Sequence, residues 1–347
     1  MINKKILLTG GHAVTTAIAV IEELIRRGGQ NDIYWIGSGR AIEGGKAFAP
    51  GTEVFPRMGV KSYSIIAGRL QRKFTVWTIP SLLKIPIGMI QSFLAVTKIK
   101  PNVVLSFGGY ASFPVVLASW VLGIPVVIHE QTASLGLANR LSSFFAKKIL
   151  FSRDVGNPVM TQICEVEPKL KIGVPPTIFI MGGSRGSRVI NETVAACLSD
   201  LLKKYRVVHL TGEADYSKFS GFKSPRYEVF ACVDPLAIDG LYRQADIVVA
   251  RAGANTVAEL MIVKRPCVLI PIPWSYQNEQ LINAQKARDF GLARVITQEK
   301  LTPEVFLEGI DKVVGDWEVT VKTVKTKKTM DIYASQKVVT VLKRILA

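Results

Sequence analysis

Residues 246–284 read DIVVARAGANTVAELMIVKRPCVLIPIPWSYQNEQLINA, and this stretch decides the fold. An apolar strand at 247–250 passes through a short loop at 251–253 into a helical pattern that opens at residues 254–256. The amides of that first helical turn, and the positive end of the helix dipole, would lie at the carboxyl end of the strand. The stretch therefore predicts a site for an anion.

A second apolar strand, residues 267–272, follows and ends in a polar run that contains Gln280. Glu259 lies about one turn past the helix start, where its carboxylate could reach a polar ligand. By itself this pattern supports two interpretations equally. One is a cradle for a nucleotide diphosphate, and the other is an ordinary βαβ unit whose polar residues are solvated.

Composition limits the class of protein. A chain of 347 residues with 48% hydrophobic residues is long enough for two domains with adequate cores. The 44 basic and 27 acidic residues give a net charge of +17. This charge favours a polyanionic partner, which could be a nucleic acid, an anionic membrane surface or a phosphorylated substrate.

The cysteines and the apolar runs exclude other classes. The four cysteines are scattered without metal-ligand spacing, so we expect no disulfide framework, no metal site and a reducing compartment. The apolar run at 6–8 is too short for a signal peptide. The run at 113–128 is shorter than the ~20 residues that span a bilayer.

The first half of the chain repeats the strand, glycine turn and helix order. A strand at 5–9 is followed by Gly10, Gly11 and His12, and a helical pattern covers 16–27. The loop TGGHAV lacks the GxGxxG spacing, and the second strand ends in glycine and serine instead of an acid. Nicotinamide binding is therefore disfavoured, and no cofactor is expected.

Residues 64–100 contain basic and large apolar side chains but no acidic residue. This composition suits a segment that lies among lipid headgroups, and a core helix with a solvated basic face is the alternative for the part after residue 87. The residues predicted to meet the membrane are Arg69, Arg72, Lys73, Phe74, Trp77, Leu82 and Leu83.

The second half restarts the pattern with a strand at 177–181, the turn GGSRGS at 182–187 and an amphipathic helix at 189–203. The small residues allow a ligand to approach the backbone closely, and the absence of a following Lys-Ser/Thr excludes a Walker loop. We predict an α/β protein of two Rossmann-like domains, residues 1–157 and 158–329, with a C-terminal helix at 330–347.

Seven motifs in order resemble the MurG family of peripheral membrane glycosyltransferases. They are TGGH at 9–12, FGGYASFP at 107–114, GIPVVIHEQ at 123–131, GNPV at 156–159, GGSRGS at 182–187, RAGANTVAE at 251–259 and QLINA at 280–284. The resemblance implies a GT-B fold, with an acceptor domain and a donor domain facing across a cleft. It also implies the C-terminal helix crossing back to the first domain.

The resemblance also implies roles for individual residues. Ser184 would contact the donor diphosphate, Glu259 the ribose and Gln280 the sugar hydroxyls. Backbone around Val233 would meet uracil. The remaining implied contacts are Thr9, Gly10 and Gly11 on the acceptor side and Ala254, Asn255, Thr256, Val257 and Ala258 at the nucleotide.

This sequence departs from the family pattern at two substrate-contacting positions. Thr132 replaces the usual asparagine after HEQ, and Met160 replaces the usual arginine after GNPV. We keep both as candidate substrate contacts. The changes affect the expected specificity more than the expected fold.

The implied reaction is an inverting, metal-independent transfer of N-acetylglucosamine from its UDP donor to a polyprenyl-pyrophosphate-linked muramoyl-pentapeptide. His12 is the candidate general base, and a structural or phosphate-binding role for it is equally open. His129 and His209 are interpreted as structural, His209 without a partner.

The expected location is peripheral, at the anionic cytoplasmic face of the cell membrane, without nucleic acid. Alternatives are a related enzyme acting on another lipid, a UDP-sugar epimerase, or a nucleic-acid-binding protein. The last would interleave aromatic with basic residues, whereas here the aromatic residues cluster with aliphatic ones.

Overall fold

The protein is described here by a computed structural model that covers residues 4–11, 13–28, 31–39, 51–68, 78–132, 134–183 and 185–347. The chain forms two compact units. The first unit contains residues 1–160 and 330–347, and the second contains residues 161–329.

The first unit is built on a parallel sheet of six strands in the order β3-β2-β1-β4-β5-β6. The strands are β1 (Lys4–Gly10), β2 (Asn31–Ser38), β3 (Lys61–Ile65), β4 (Val103–Ser106), β5 (Val126–Glu130) and β6 (Lys148–Phe151). The strand order reverses between β1 and β4. In open parallel sheets, ligands bind outside the carboxyl ends of the strands at such a switch point.

Helices cover the faces of this sheet. They are α1 (Val14–Arg26), α2 (Gly51–Arg57), α3 (Thr78–Ile99), α4 (Ser112–Val121), α5 (Leu137–Ser142) and α6 (Ser152–Val155), with a 3-10 turn at Ser143–Phe145. The central strands are buried on both faces, as expected for a parallel sheet between helices. None of the described helices is long and apolar enough to cross a membrane.

The second unit repeats the plan with a parallel sheet in the order β12-β11-β10-β7-β8-β9. Its strands are β7 (Thr177–Met181), β8 (Arg206–Leu210), β9 (Tyr227–Phe230), β10 (Ile247–Ala250), β11 (Cys267–Leu269) and β12 (Ala293–Val295). The switch point lies between β7 and β10. The predicted glycine-rich turn at 182–187 follows β7, and the loop at 251–253, called the RAG loop below, follows β10. Because these strands are neighbours in the sheet, the fold brings the two loops together.

Helices surround this second sheet. They are α7 (Thr161–Cys164), α8 (Arg188–Lys204), α9 (Tyr216–Phe219), α10 (Ile238–Gln244), α11 (Ala254–Val263), α12 (Glu279–Asp289), α13 (Pro303–Gly315) and α14 (Trp317–Val324). Short 3-10 turns lie at Pro235–Ala237, Tyr276–Asn278, Gln298–Lys300 and Met330–Tyr333. Apolar side chains of α8 and α13 form one core with the sheet.

The last helix, α15 (Ala334–Leu346), belongs to the first unit and packs on α1. Arg27 joins the two helices, donating from its guanidinium to Thr340 Oγ1 at 2.8 Å and to the carbonyl of Gln336 at 2.9 Å. Glu23, which is buried on α1, accepts hydrogen bonds from Arg26 and Arg27. The amphipathic tail predicted from the sequence thus covers α1.

The strands of the structure differ from the predicted ones in three places. The edge strands β3 and β12 were not predicted, because KSYSI and ARV show no sustained apolar pattern. The strand predicted at 267–272 ends at Leu269. Pro271 has no N–H to donate to a sheet, and the amide of Ile272 donates instead to Gln280 Oε1 at 3.1 Å.

Candidate active site

Two helix N-termini meet at the switch point of the second sheet. Strand β7 passes through residues 182–187 into α8, and β10 passes through residues 251–253 into α11. The N-cap residues, Ser187 and Gly253, supply no side-chain acceptor to the first-turn amides. Amides and helix dipoles that point to one place form an anion site.

Glycines allow the first of these loops to fold tightly. A Cβ on Gly186 would lie 1.9 Å from the carbonyl oxygen of Thr211, and one on Gly212 would lie 2.4 Å from that of Arg185. Gly183 has a φ of +87° and open space where a side chain would be. The loop therefore rests on the turn at residues 211–212. The predicted diphosphate contact, Ser184, lies outside the described residues.

Arg251 is a buried cation beside this site. Its guanidinium donates to Ser187 Oγ at 3.0 Å, to the carbonyl of Ile270 at 3.1 Å and to Gln298 Oε1 at 2.8 Å. All three partners are neutral. Burial lowers the pKa of Arg251 to about 10, so the side chain keeps its charge at neutral pH. This charge adds to the positive potential of the two helix starts.

Glu259 lies on α11 in a buried environment. Its Oε2 accepts a hydrogen bond from Tyr242 Oη at 2.8 Å. Burial raises the pKa of Glu259 to about 7, and the bond from Tyr242 opposes that rise. The carboxyl group is therefore close to half ionised at neutral pH. When ionised, it can accept hydrogen bonds from the hydroxyl groups of a ligand.

The rest of the predicted nucleotide segment divides by burial. Ala254, Asn255 and Thr256 form the partly exposed first turn of α11. Val257 and Ala258 are each only 2% exposed, so their side chains belong to the core. The predicted contact of these two with the nucleotide therefore stays a prediction for their backbone. Periodicity alone did not separate the two faces of this short helix.

Gln280 is the second residue of the next helix, α12, and its side chain is oriented by a backbone amide. Because Oε1 accepts from the amide of Ile272, the NH₂ group of Gln280 remains available to donate to a ligand. Asn283 ties α12 to the RAG loop through the carbonyl of Ala252 at 3.2 Å. The turn before α12 has two left-handed residues, Gln277 and Asn278, with φ of 48° and 55°.

Val233 lies after β9 and is half-buried. The next residue, Asp234, caps a 3-10 turn by accepting from the amide of Leu236 at 3.0 Å. The backbone at Val233 is therefore held between a strand end and a capped turn.

At the switch point of the first sheet, two glycine loops pack backbone to backbone. The amide of Gly11 donates to the carbonyl of Gly108 at 2.9 Å, and a Cβ on Gly109 would lie 2.9 Å from Gly11. Thr9 is fully buried, and its hydroxyl has no hydrogen-bond partner among the described residues. Gly10 continues β1 beside it. His12, the predicted base, lies outside the described residues.

Glu130 organises the loop after β5, a role that the sequence interpretation did not assign. Its carboxylate accepts from the Thr132 amide and hydroxyl at 3.0 and 2.8 Å, the Gly136 amide at 3.1 Å and Asn139 Nδ2 at 2.8 Å. Asn139 in turn lies against Gly108. The Thr132 hydroxyl, predicted to contact substrate, is thus held by Glu130. One sequence signal for this role of Glu130 was that HEQ, residues 129–131, lies at the end of an apolar strand pattern.

Met160, a predicted substrate contact, is only 1% exposed, so its side chain is buried and the contact stays a prediction for its backbone. His129 is buried and bonds to the carbonyl of Gly156 through Nε2 at 3.0 Å, and burial lowers its pKa. His209 was expected to have no partner. Instead it bonds to both Tyr227 and Asn191.

Part of the predicted membrane segment is described. Arg69, Arg72, Lys73, Phe74 and Trp77 lie outside the described residues, whereas Leu82 and Leu83 lie on α3. Further along α3, apolar side chains are exposed at helical spacing: Ile87, Ile90, Phe93 and Leu94. Ile90 and Leu94 are 61% and 62% exposed. A soluble helix normally buries such a stripe.

The chain is similar to known proteins over its whole length. Residues 9–151 match the glycosyltransferase family 28 N-terminal domain, and residues 177–339 match the family 28 C-terminal domain. A relative from Clostridium kluyveri is 32% identical over 98% of this chain and 99% of its own. That relative is named UDP-N-acetylglucosamine–N-acetylmuramyl-(pentapeptide) pyrophosphoryl-undecaprenol N-acetylglucosamine transferase.

Two solved structures share the fold. MurG of Acinetobacter baumannii is 24% identical with a TM-score of 0.69, covering 98% of this chain and 99% of that one. UDP-GlcNAc 2-epimerase of Neisseria meningitidis, bound to UDP-GlcNAc, is 12% identical with a TM-score of 0.63, covering 98% of this chain and 100% of that one. Likeness at these identities establishes the two-domain GT-B architecture alone.

Proposed function

This chain belongs to glycosyltransferase family 28, and we propose that it transfers N-acetylglucosamine from UDP-N-acetylglucosamine to N-acetylmuramyl-pentapeptide pyrophosphoryl-undecaprenol. The observation that carries the proposal is the switch point of the second sheet. There, the N-termini of α8 and α11 follow neighbouring strands, Arg251 donates to the N-cap residue Ser187, and Glu259 is buried further along α11. This set of groups suits a nucleoside diphosphate.

The donor would be bound in four parts. The first-turn amides of α8 and α11 suit the diphosphate, since they point their positive ends at one position. Glu259 suits the ribose, whose two hydroxyl groups are donors. The NH₂ group of Gln280 suits a sugar hydroxyl, and the backbone at Val233 suits the uracil edge.

The transfer would invert the anomeric carbon. The acceptor hydroxyl attacks that carbon, its proton passes to a base for which His12 is the candidate, and the bond to the UDP oxygen breaks. Negative charge then grows on the diphosphate. The helix amides and the Arg251 charge would stabilise it without reorganising, so the proposed reaction uses no metal.

The acceptor is assigned to the first unit. The loops at 9–11 and 107–109 form its switch point, where ligands of open parallel sheets bind, and Gly11 and Gly109 are partly exposed there. Glu130 holds the adjoining loop through four hydrogen bonds.

The surface of the first unit that suits a membrane supports the assignment of the lipid-linked acceptor to this unit. An acceptor with a long polyprenyl chain stays in the bilayer, so the enzyme must come to it. The exposed apolar stripe on α3 and the net charge of +17 suit an anionic headgroup region. We place the protein at the cytoplasmic face, because its free cysteines suit a reducing compartment.

The test is a transfer assay with purified protein and the undecaprenyl-linked acceptor, in which UDP-N-acetylglucosamine is compared with UDP-galactose and UDP-glucose. We expect kcat/KM for UDP-N-acetylglucosamine to exceed the others by at least about tenfold. Faster transfer to a different glycolipid acceptor would favour the related-enzyme alternative. Conversion of the donor without any acceptor would favour an epimerase.

A further inference from the structure

A buried hydrogen-bonded chain, Tyr227–His209–Asn191, lies next to the proposed diphosphate loop. We propose that His209 and Asn191 are positioning residues for donor binding, because they fix the turn at residues 211–212, against which Arg185 and Gly186 pack. This proposal deepens the proposed function and rests on it.

The chain has one consistent set of donors and acceptors. Asn191 Nδ2 donates to the carbonyl of Thr211 at 2.9 Å and to Asp215 Oδ2 at 2.9 Å. Its Oδ1 must therefore accept from His209 Nε2, which lies 3.1 Å away. His209 Nδ1 is then the acceptor for the Tyr227 hydroxyl at 3.0 Å. Every polar atom of both rings and of the amide has a partner.

His209 acts in this chain as a neutral group. It is fully buried on β8, and burial lowers its pKa to about 4. The Nε2–H tautomer therefore persists across the neutral range, and the donor to Asn191 is never lost. The role is one of geometry and involves no proton transfer.

The turn held by Asn191 supports the diphosphate loop directly. Thr211 and Gly212 form this turn, and neither Gly186 nor Gly212 could carry a Cβ without severe overlap with the opposite backbone. Two backbones in such close contact move together. A shift of the Thr211 carbonyl must therefore displace residues 185–186.

Asn191 also belongs to the start of α8. It lies in the first turn of this helix, and its backbone N–H donates to the carbonyl of Ser187 at 2.9 Å. One side chain thus connects the N-terminus of α8, the end of β8 and the supporting turn. The residue that holds the supporting turn therefore belongs to the first turn of the helix whose amides suit the diphosphate.

Two roles for the Tyr227–His209–Asn191 chain, stabilising the fold and positioning the donor loop, lead to different expected results when the chain is broken. Loss of a stabilising network lowers Tm but leaves the properly folded site unchanged. Loss of a positioning network weakens donor binding while acceptor binding stays the same.

The experiment compares Asn191→Leu, His209→Phe and the conservative His209→Gln. Glutamine can donate to Asn191 and accept from Tyr227, so it should restore function. We expect Asn191→Leu and His209→Phe to raise the Kd for UDP, measured by calorimetry, and the donor KM by roughly tenfold or more. Acceptor KM should not change, and His209→Gln should stay within about threefold of wild type.

Tyr205→Phe is the matched control. It removes a buried hydrogen bond to Asp311 at the C-terminal end of α8, far along the helix from the loop. It should lower Tm without changing the Kd for UDP. Hydrogen exchange of amides 182–187 should accelerate in Asn191→Leu and not in Tyr205→Phe.

Tyr227→Phe keeps the proposal open to test if the other variants fail to fold, because it removes only the hydroxyl that donates to His209 Nδ1 and keeps the ring. It should raise the Kd for UDP in the same direction as His209→Phe. Unchanged UDP affinity in folded Asn191→Leu and Tyr227→Phe, or equal rises in donor and acceptor KM, would overturn the proposal. Absence of UDP binding by the wild-type protein would instead overturn the proposed function beneath it.

Discussion

Replacing Glu259 by glutamine is expected to weaken UDP-N-acetylglucosamine binding and to remove its pH dependence. The carboxylate would accept hydrogen bonds from two ribose hydroxyls, whereas glutamine offers one acceptor oxygen that Tyr242 already engages. Hydrogen bonds to a charged group contribute about 1.5–3 kcal/mol, so the Kd should rise roughly 10- to 150-fold at pH 8.

The pH dependence follows from the pKa of Glu259, which burial raises to about 7. Only the ionised form accepts two hydroxyl donors. The wild-type Kd should therefore increase about tenfold from pH 8 to pH 6 as the carboxyl group takes up its proton. The glutamine variant should keep a constant Kd over this range. Other groups that titrate near the ligand affect both proteins equally and cancel in the ratio.

The same shift has a consequence for folding. The folded protein keeps the Glu259 proton up to about pH 7, whereas the unfolded chain releases it near pH 4.5. Wild-type stability from this group is thus fully present below pH 4.5 and is lost as pH rises through 7, by at most about 3 kcal/mol. Glu259→Gln has no such loss, so its Tm should rise relative to wild type between pH 5 and pH 8.

The assays are calorimetric titration with UDP-N-acetylglucosamine, whose diesterified diphosphate keeps its charge between pH 6 and 8, and thermal unfolding. Glu228→Gln on the exposed side of β9 is the control and should behave as wild type. If the Kd of Glu259→Gln changed with pH as steeply as that of the wild-type protein, the assignment of Glu259 to the ribose would be refuted.

Three further predictions concern other residues. Arg251→Met should lower kcat more than Arg251→Lys, because methionine removes the buried charge; equal kcat values in steady-state assays would show that the charge has no part in the reaction. Glu130→Gln should raise the acceptor KM, because its NH₂ group would face N–H donors from which the carboxylate now accepts hydrogen bonds. Each unpaired donor would cost about 1–3 kcal/mol. UDP affinity, measured by calorimetry, should stay unchanged. Phe93→Asp with Leu94→Asp should reduce sedimentation with anionic liposomes several-fold, whereas Val319→Asp on the exposed face of α14 should not; equal binding by all three proteins would locate the membrane contact elsewhere.

Much of the fold follows from local patterns. The central strands are continuous apolar runs, and each is followed by a glycine-containing loop and a helical pattern, so β1, β7 and β10 were predicted within one or two residues. The edge strands β3 and β12 were missed. An edge strand is partly solvated, and its sequence is as polar as a loop.

The candidate site was only partly predictable. RAGANTVAE and GGSRGS were predicted to be ligand loops because each joins the end of a strand to the start of a helix, and the structure places them after the neighbouring strands β10 and β7. The partners of His209 and the loop-organising role of Glu130 were not found. Each depends on side chains that are distant in sequence or held across a turn, and no local spacing encodes such contacts.

The sequence alone determined two doubly wound units, the strand ends that carry ligand loops, and the family. Those properties arise from apolar periodicity and turn chemistry, which are local. Tertiary structure decided which of the predicted side chains are buried and what surrounds them. Met160, Val257 and Ala258 are buried apolar residues, whereas Glu259 is buried beside Tyr242 of another helix, and this burial raises its pKa to about 7. Burial and pairing are set by neighbours that only the folded chain assembles, and so the chemistry of this site is a tertiary property.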